Sequence, residues 1–370
     1  WLRMNEALTA IVAQTAGADP ASVRVSLRLP LEIQSNRLYD AWVGDRHLIV
    51  KEFLKPAEFD DAPRREFHAL ERLAPLDVAP QPVHYQPERS EFGPLVLYEY
   101  MEGEMWGRRH PSAAELGQLA EVWLQVSALP TEGLWLSRGY EGTLREREGQ
   151  FLAQFQAYAA WAEAQFRPAL RAADLCFSLM ERCRAVAGEL DACDPPLCFC
   201  KSDPRFANVI RRPNGRLGLI DWEDSGLRDL ARDLADVMTH PYQEELLASD
   251  EWQALLEPYL AVRGEGDPQL AHRVHLYLAL FPVFWLSNLI RAGLRSASRQ
   301  AAEISQSSGE HSHGMPLNDR LRRYLARGLA WPEANLAEQL ESLDGVTFFP
   351  VSRGPPIELT RGVQNSEFHG

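Results

Sequence analysis

Lys201-Ser-Asp203-Pro-Arg205-Phe-Ala-Asn208, followed by Val209-Ile210, the turn Pro213-Asn-Gly215 and then Leu217-Gly-Leu-Ile220-Asp221-Trp222-Glu223, is the stretch that decides how this chain is read. Two short apolar runs on either side of Pro213-Asn-Gly215 form a hairpin. It brings together a carboxylate (Asp203), an amide oxygen five residues later (Asn208) and a second carboxylate past the turn (Asp221). Hard divalent cations take oxygen ligands, and Mg²⁺ carried on nucleotide phosphates needs only one or two protein carboxylates. On this reading Asn208 and Asp221 hold the metal, and Asp203 receives or orients a hydroxyl proton. Any one of these residues alone reads more readily as a solvated turn position. The weight lies in the set.

Working outward, residues 22 to 54 read as strands. Val23-Arg-Val-Ser-Leu-Arg-Leu alternates, His47 to Phe53 is a short apolar run, and Val43-Gly-Asp-Arg46 is the turn between them. A helix follows, with Asp60 or Asp61 as its cap, Pro63 in its first turn and Phe67, Leu70 and Leu73 as its apolar stripe. Leu95-Val-Leu-Tyr-Glu99-Tyr is a further strand, closed by Glu102-Gly103. Beyond Gly103 the pattern turns helical: a capping box at Ser112-Ala-Ala-Glu115, a long helical region over about 144 to 190, and a helix from about Leu230. Helices resume from 250 to 300. There the apolar run Leu276–Leu286 is too short for a membrane span, holds Pro282, and reads as a buried helix. Residues 303 to 316 are polar and Ser-rich and are expected to be mobile.

The order of parts carries more than the hairpin does. A strand lysine (Lys51), a helix glutamate (Glu66), a linker, D-x-x-x-x-N and a metal aspartate follow one another as in the protein-kinase scheme. Lys51 would neutralise the α- and β-phosphates, Glu66 would hold that ammonium in place, and the backbone of Glu99, Tyr100 and Met101 would meet the adenine edge. Of 38 basic residues only Lys51, Lys55 and Lys201 are lysine. With arginine the default cation, a lysine marks a position where a compact ammonium is needed.

Together these stretches resemble the aminoglycoside phosphotransferase and choline-kinase-like family, small-molecule relatives of the protein kinases. The resemblance is carried by Ser35-Asn36 with Tyr39, Leu48-Ile-Val-Lys51, Arg65-Glu66 through Leu70, and Leu97-Tyr-Glu99 to Gly103. It continues through Lys201-Ser-Asp203 to Asn208-Val-Ile, Gly218-Leu-Ile-Asp221-Trp-Glu223 and Asp229-Leu-Ala-Arg-Asp233-Leu-Ala. It spans about residues 20 to 240, and more loosely to 300. It implies an α+β, bilobal protein-kinase-like fold: an N-terminal lobe over 1–99, a linker over 100–103, a mainly helical lobe over 104–302 and an extension over 303–370. It also implies Mg²⁺-dependent transfer of the γ-phosphoryl of ATP to a hydroxyl, with Asp203 as base and Asn208 and Asp221 as metal ligands. Ser35 and Asn36 fall in the nucleotide loop, and Glu223 is a candidate for a supporting or second-metal role. Asp229 and Asp233 match family positions and read as structural.

The chain departs from the family in writing Lys201 where a histidine is usual. A cation two residues from Asp203 would either weaken that carboxylate as a base or assist at the transferring phosphate. Arg205 is a candidate contact to the same phosphate. No G-x-G-x-x-G and no G-x-x-x-x-G-K-[ST] occurs, which removes the Rossmann and P-loop readings.

Acidic residues outnumber basic ones 52 to 38, a formal charge of −14. That balance argues against nucleic acid or an anionic membrane as the main partner and would suit a cationic substrate, the acceptor being a hydroxyl of a small molecule. Aminoglycosides, choline-like amines, amino-alcohols and sugars all fit. Five cysteines without metal-ligand spacing and the lack of a leader-like opening point to reduced thiols in a cytoplasmic protein. Trp106, Trp123, Trp161, Tyr277 and Trp285 could cage a quaternary ammonium, but their spacing favours core positions; Glu310-His-Ser-His313 is a weak metal motif in a polar stretch. The rival reading, prompted by Lys201, is a non-catalytic nucleotide-binding scaffold on the same fold.

Overall fold

Helix α1 (Leu2–Ala16) opens the chain and leads into an antiparallel sheet of β1 (Val23–Leu27), β2 (Asn36–Val43), β3 (Arg46–Phe53) and, after helix α2 (Ala62–Leu73), β4 (Pro82–Gln86) and β5 (Leu95–Glu99). The computed structural model describes residues 2–28, 36–54, 61–87, 93–107, 109–137, 144–243, 246–302, 316–330 and 340–350. Ser35, Lys55, Asp60, Glu310-His-Ser-His313 and the Ser-rich stretch up to 315 lie outside these residues.

Strand order is β1-β2-β3-β5-β4, so β3 is the central strand and both its faces are covered. Side chains alternate across a strand. Leu48 and Val50 therefore join Tyr39, Ala41, Leu95 and Leu97 in a layer closed by Leu8 and Val12 of α1. Ile49 and Phe53 face the other way, with Val96, Tyr98 and Ala69, Leu70 and Leu73 of α2, in a core continuous with the second lobe. Lys51 shares the Ile49 face, and this register points its stem away from α1 and toward the junction of the lobes. Helix α1 has no counterpart in the sequence reading. The uninterrupted run Leu48-Ile-Val is the trace it leaves, because a strand covered on both faces loses its alternation.

The side-chain cap expected from Asp61 at the start of α2 does not form. Asp61 occupies the cap position in helical geometry with no cap bond and instead pairs with Arg64 at 2.8 Å. The capping box of Ser112 and Glu115 does form, opening the next helix.

The second lobe comprises β6 (Glu104–Met105), α3 (Ala113–Ser127), α4 (Leu144–Gln165), α5 (Leu170–Asp191), β7 (Leu197–Cys200), β8 (Val209–Arg211), β9 (Leu217–Leu219), β10 (Gly226–Asp229), α6 (Leu230–Thr239), α7 (Ser249–Arg263), α8 (Leu270–Ala302) and α9 (Leu317–Ala330). The helical region expected over 144 to 190 is two helices, broken where Pro168 sits in a short 3-10 turn. They run antiparallel, since Glu148 near the start of α4 bonds Arg184 near the end of α5 at 2.6 Å. The hairpin of β8 and β9 is present, with β6 added to its edge, while β7 pairs with β10. Helix α8 is long and apolar enough to cross a membrane by length and composition alone over Leu270–Ala297, yet more than half of that window is buried inside the protein. That is the pattern of a core helix.

Phe348 and Phe349 dock into the core of α4, α5, α8 and α9. The Tyr158 hydroxyl donates to the Phe348 carbonyl at 2.8 Å, and the Asn318 side-chain oxygen accepts both backbone N–H groups, at 3.1 and 2.9 Å. Phe348 is fully buried, so Phe348→Ala should destabilise the protein by about 3–5 kcal/mol. Chemical denaturation of the full chain checks this. An unchanged midpoint would mean that the docked segment adds nothing to the helical core.

Candidate active site

Lys51 lies where the two lobes meet. Its Nζ is 2.6 Å from Glu66 Oε2 on α2, 2.7 Å from Asp221 Oδ1 just beyond β9 and 2.9 Å from Glu223 Oε2. The Phe53 ring lies 5.1 Å away. Lys51 and Glu66 are 3% and 1% exposed. Removing charges from water is costly unless they are paired and bonded. Burial opposes the Lys51 charge, but Asp221, Glu223 and Glu66 outweigh it and its pKa rises well above the usual value. Burial drives Glu66 up to about 7 against the pull of Lys51. Burial also raises Glu223, whereas the Asp221 carboxyl, despite its burial, is held low by Lys51, Lys201 and Arg205.

Three carboxylates thus surround one ammonium, and the cluster carries an excess of negative charge. Ligand oxygens of Glu66, Asp221 and Glu223 lie within 4.8 Å of one another. An all-oxygen, carboxylate-rich donor set of this size is suited to a hard divalent cation. Asn36, expected as a phosphate contact, instead donates from Nδ2 to Glu223 Oε2 at 2.6 Å.

The loop after β7 supplies the second half. Arg205 donates to Asp203 Oδ2 from Nε at 2.8 Å, its Nη2 lies 2.6 Å from the same oxygen, and that Nη2 stands 3.5 Å from Asp221 Oδ2. Asn208 Nδ2 lies 3.3 Å from Asp203 Oδ2. Asn36, Lys51, Glu66, Asp203, Arg205, Asn208, Asp221 and Glu223 therefore form one continuous chain of contacts. Burial works against the Arg205 charge, and Asp203 and Asp221 more than restore it.

Two residues of this centre adopt left-handed backbone that glycine would hold without cost: Ser202 at φ 67° and Asp221 at φ 66°. Each is tied down. The Ser202 N–H donates to Asp233 Oδ2 at 3.1 Å, and Lys201 Nζ donates to the Asp221 backbone carbonyl at 2.6 Å. The Lys201 ammonium is buried, lies 5.4 Å from the Trp222 ring centroid, and has its pKa lowered by that burial. Its hydrogen bond runs to the Asp221 backbone. It is a brace on the Asp221 turn, a contact that neither role expected for it from sequence describes.

Further support comes from behind. Asp229 caps α6 through the Ala231 N–H and pairs with Arg273 through two bonds, at 2.9 and 3.0 Å. Gln243 accepts the Phe206 N–H at 2.6 Å and donates to the carbonyls of Pro204 at 3.1 Å and Val237 at 2.9 Å, clamping the loop onto the end of α6. Arg65 of α2 reaches the carbonyls of Leu136 and Ser225. Gln243 and Arg273 have no signature in the sequence, because their partners come from distant segments.

At the linker, Tyr100 stacks on His47 with centroids 4.1 Å apart, and Glu99 pairs with Arg46. Met101 lies so close to Gly218 that an added Cβ there would sit 2.1 Å from its Sδ, so the linker rests directly on β9. The aromatic residues weighed as a cage are dispersed: Trp106 and Trp123 belong to one core, Trp161 and Trp285 border the other.

Residues 27–273 match the phosphotransferase enzyme family (APH). No curated protein matches the chain. Among solved structures, it is similar to choline kinase LicA from Streptococcus pneumoniae, with TM-score 0.54, 19% identity and coverage of 92% of this chain and 99% of that one. It is similar to a putative aminoglycoside phosphotransferase from Ralstonia eutropha, with TM-score 0.57, 17% identity and coverage of 91% and 98%. It is also similar to the spectinomycin phosphotransferase APH(9)-Ia, solved with ADP and spectinomycin, with TM-score 0.53, 13% identity and coverage of 87% and 93%. At such identities these likenesses establish the fold, a two-lobed kinase-like α+β architecture. With the family match spanning well over half of its length, the chain belongs to the phosphotransferase enzyme family.

Proposed function

We propose that this protein transfers the γ-phosphoryl group of ATP, with Mg²⁺, to a hydroxyl of a small molecule. The observation that carries the reading is the Lys51 ammonium, held by Glu66 from one lobe and reaching Asp221 from the other at 2.7 Å. A positive charge fixed opposite a carboxylate-rich cluster suits a metal-bound triphosphate laid between the lobes. Asn208 and Asp221 would hold the metal, with Glu223 beside them, and the ion would neutralise charge on the β- and γ-phosphates.

The remaining chemistry falls to side chains of this chain. Asp203 accepts the hydroxyl proton as the acceptor oxygen bonds to phosphorus and the bond from the γ-phosphorus to the β-phosphate oxygen breaks. Arg205 already bridges Asp203 and Asp221 and supplies a guanidinium next to the place where transferring charge develops. Lys51 neutralises the phosphates nearer the leaving group. Catalysis on this reading is positioning and charge neutralisation. The scaffold alternative arose from Lys201. Its ammonium bonds the Asp221 carbonyl, and what favours the catalytic reading is that Asp203, Asn208 and Asp221 stand together, with Arg205 between Asp203 and Asp221.

Two outcomes check this. Asp203→Asn should lower kcat by about 10²–10⁴-fold, the range for loss of a general base, while Mg–nucleotide still binds; turnover equal to wild type would remove Asp203 from the reaction. Lys201→Met strands the Asp221 carbonyl at a cost of about 1–3 kcal/mol and should raise the nucleotide KM as well as lower kcat. Lys201→His should restore most of both, and equal kinetics in all three proteins would show that the brace is dispensable.

A further inference from the structure

Helix α2 belongs to the first lobe by sequence, but one of its faces is bonded to the second. Glu66 turns inward to Lys51. Its neighbour Arg65, about 100° away around the helix, opens the stripe Arg65, His68 and Arg72 at helical spacing. Each member of that stripe meets the segment 132–136. Arg65 Nη1 donates to the Leu136 carbonyl and, at 3.1 Å, to the Ser225 carbonyl. The His68 ring lies 5.8 Å from that of Trp135, and Arg72 Nη2 donates to the Glu132 carbonyl at 3.1 Å.

Ser225 is where this second attachment enters the candidate site. It is fully buried, and its carbonyl takes a further bond from Trp135 Nε1 at 2.8 Å. Its hydroxyl and its N–H both donate to the Trp222 carbonyl, at 2.7 and 3.1 Å. Ser225 thereby closes the turn 222–225, which holds Glu223 and directly follows Asp221. The segment that Arg65 grips is itself fixed: Leu227 N–H donates to the Trp135 carbonyl at 2.7 Å, and Ser137 N–H to the Leu227 carbonyl at 3.0 Å. The approach is so close that a Cβ on Gly226, which has φ 152°, would stand 2.6 Å from the Ser137 nitrogen. Through one carbonyl, Arg65 therefore connects the helix that positions Glu66 to the turn that positions the other two acidic partners of Lys51.

Lys51 pairs with Glu66, Asp221 and Glu223, and the last two are the acids proposed to serve the metal. If α2 drifts outward, Glu66 leaves the ammonium, which then settles on those two carboxylates and competes with the cation for them. A tie that does not pass through Lys51 keeps Glu66 in place while the ammonium turns to phosphate. We propose that Arg65 is a positioning residue for phosphoryl transfer: its bond to the Ser225 carbonyl holds α2 against the turn 222–225, so that Glu66 retains Lys51 and leaves Asp221 and Glu223 open to the metal. This rests on the phosphotransferase reading and adds to it a residue that acts through Glu66.

The test is a double-mutant cycle on the full chain, read by calorimetric titration with ADP and Mg²⁺, which needs no acceptor. Arg65→Met should weaken Mg–ADP binding by at least about tenfold in the wild-type background, the loss of bonds from a charged donor. In a Glu66→Gln background, where the group it positions is already gone, the same change should cost less than about twofold. Arg65→Lys, whose ammonium still donates to one carbonyl, should recover part of the affinity. Arg72→Met removes the other α2 bond to the same segment and is the control, with affinity expected within about twofold of wild type. Chemical denaturation confirms that each variant is folded, and Arg65→Lys and Arg65→Gln carry the cycle should Arg65→Met not fold. Equal losses in both backgrounds, an equal loss in Arg72→Met, or wild-type affinity in folded Arg65→Met overturns the inference and leaves the phosphotransferase reading standing. A wild-type protein that neither binds Mg–ADP nor turns over ATP with Mg²⁺ overturns that reading itself.

Discussion

At the candidate site one ammonium joins the fold's two lobes. Lys51 is buried, and an unpaired buried cation would be severely destabilising. Its stability demands the carboxylates that surround it, and those come from α2, from the turn after β9 and from two residues beyond. The sheet register aims Lys51, the packing of Leu70 and Leu73 sets α2, and the β8–β9 hairpin delivers Asp221. Shift any of the three and the ammonium loses a partner. The same arrangement leaves carboxylate in excess, which is why the cluster is suited to a metal-laden polyphosphate as well as to structural pairing.

A second constraint lies in the backbone. Ser202 and Asp221 both hold left-handed conformations that cost of order 1–3 kcal/mol each for residues with side chains. They persist because the surroundings fix them: Asp233 from α6 for one, Lys201 for the other. The acid at the head of α6 and the lysine beside Asp203 are therefore devices for holding strained turns. Arg273 and Gln243, bonded to Asp229 and to the Pro204–Phe206 loop, stiffen the same region from behind.

Much of this was legible in the chain because its signals are local or ordered. Lys51, Glu66, Asp203, Asn208 and Asp221 were found from residue type and sequence order, and the hairpin from its Asn-Gly turn. The capping box at Ser112 and Glu115 was found for the same reason, as its partners are three residues apart. What escaped depended on partners far along the chain. Helix α1 covers a sheet face whose need for cover shows only in Leu48-Ile-Val. Asp61 looked like a cap, but its carboxylate went to Arg64. Lys201 was marked by lysine scarcity, yet its acceptor is a backbone carbonyl 20 residues away, which no spacing rule reports. The enclosed, unpartnered oxygens of Ser202 and Asp236 are a property of packing alone.

The central claim is that Lys51 exchanges carboxylates for phosphate when nucleotide enters between the lobes. Calorimetric titration with ADP and Mg²⁺, comparing wild type with Lys51→Met, addresses it most directly. Wild type should bind in a Mg-dependent manner and the variant should bind at least about tenfold more weakly, the loss of one charge-assisted bond of about 1.5–3 kcal/mol. Equal affinities, or wild-type binding indifferent to Mg²⁺, would contradict it.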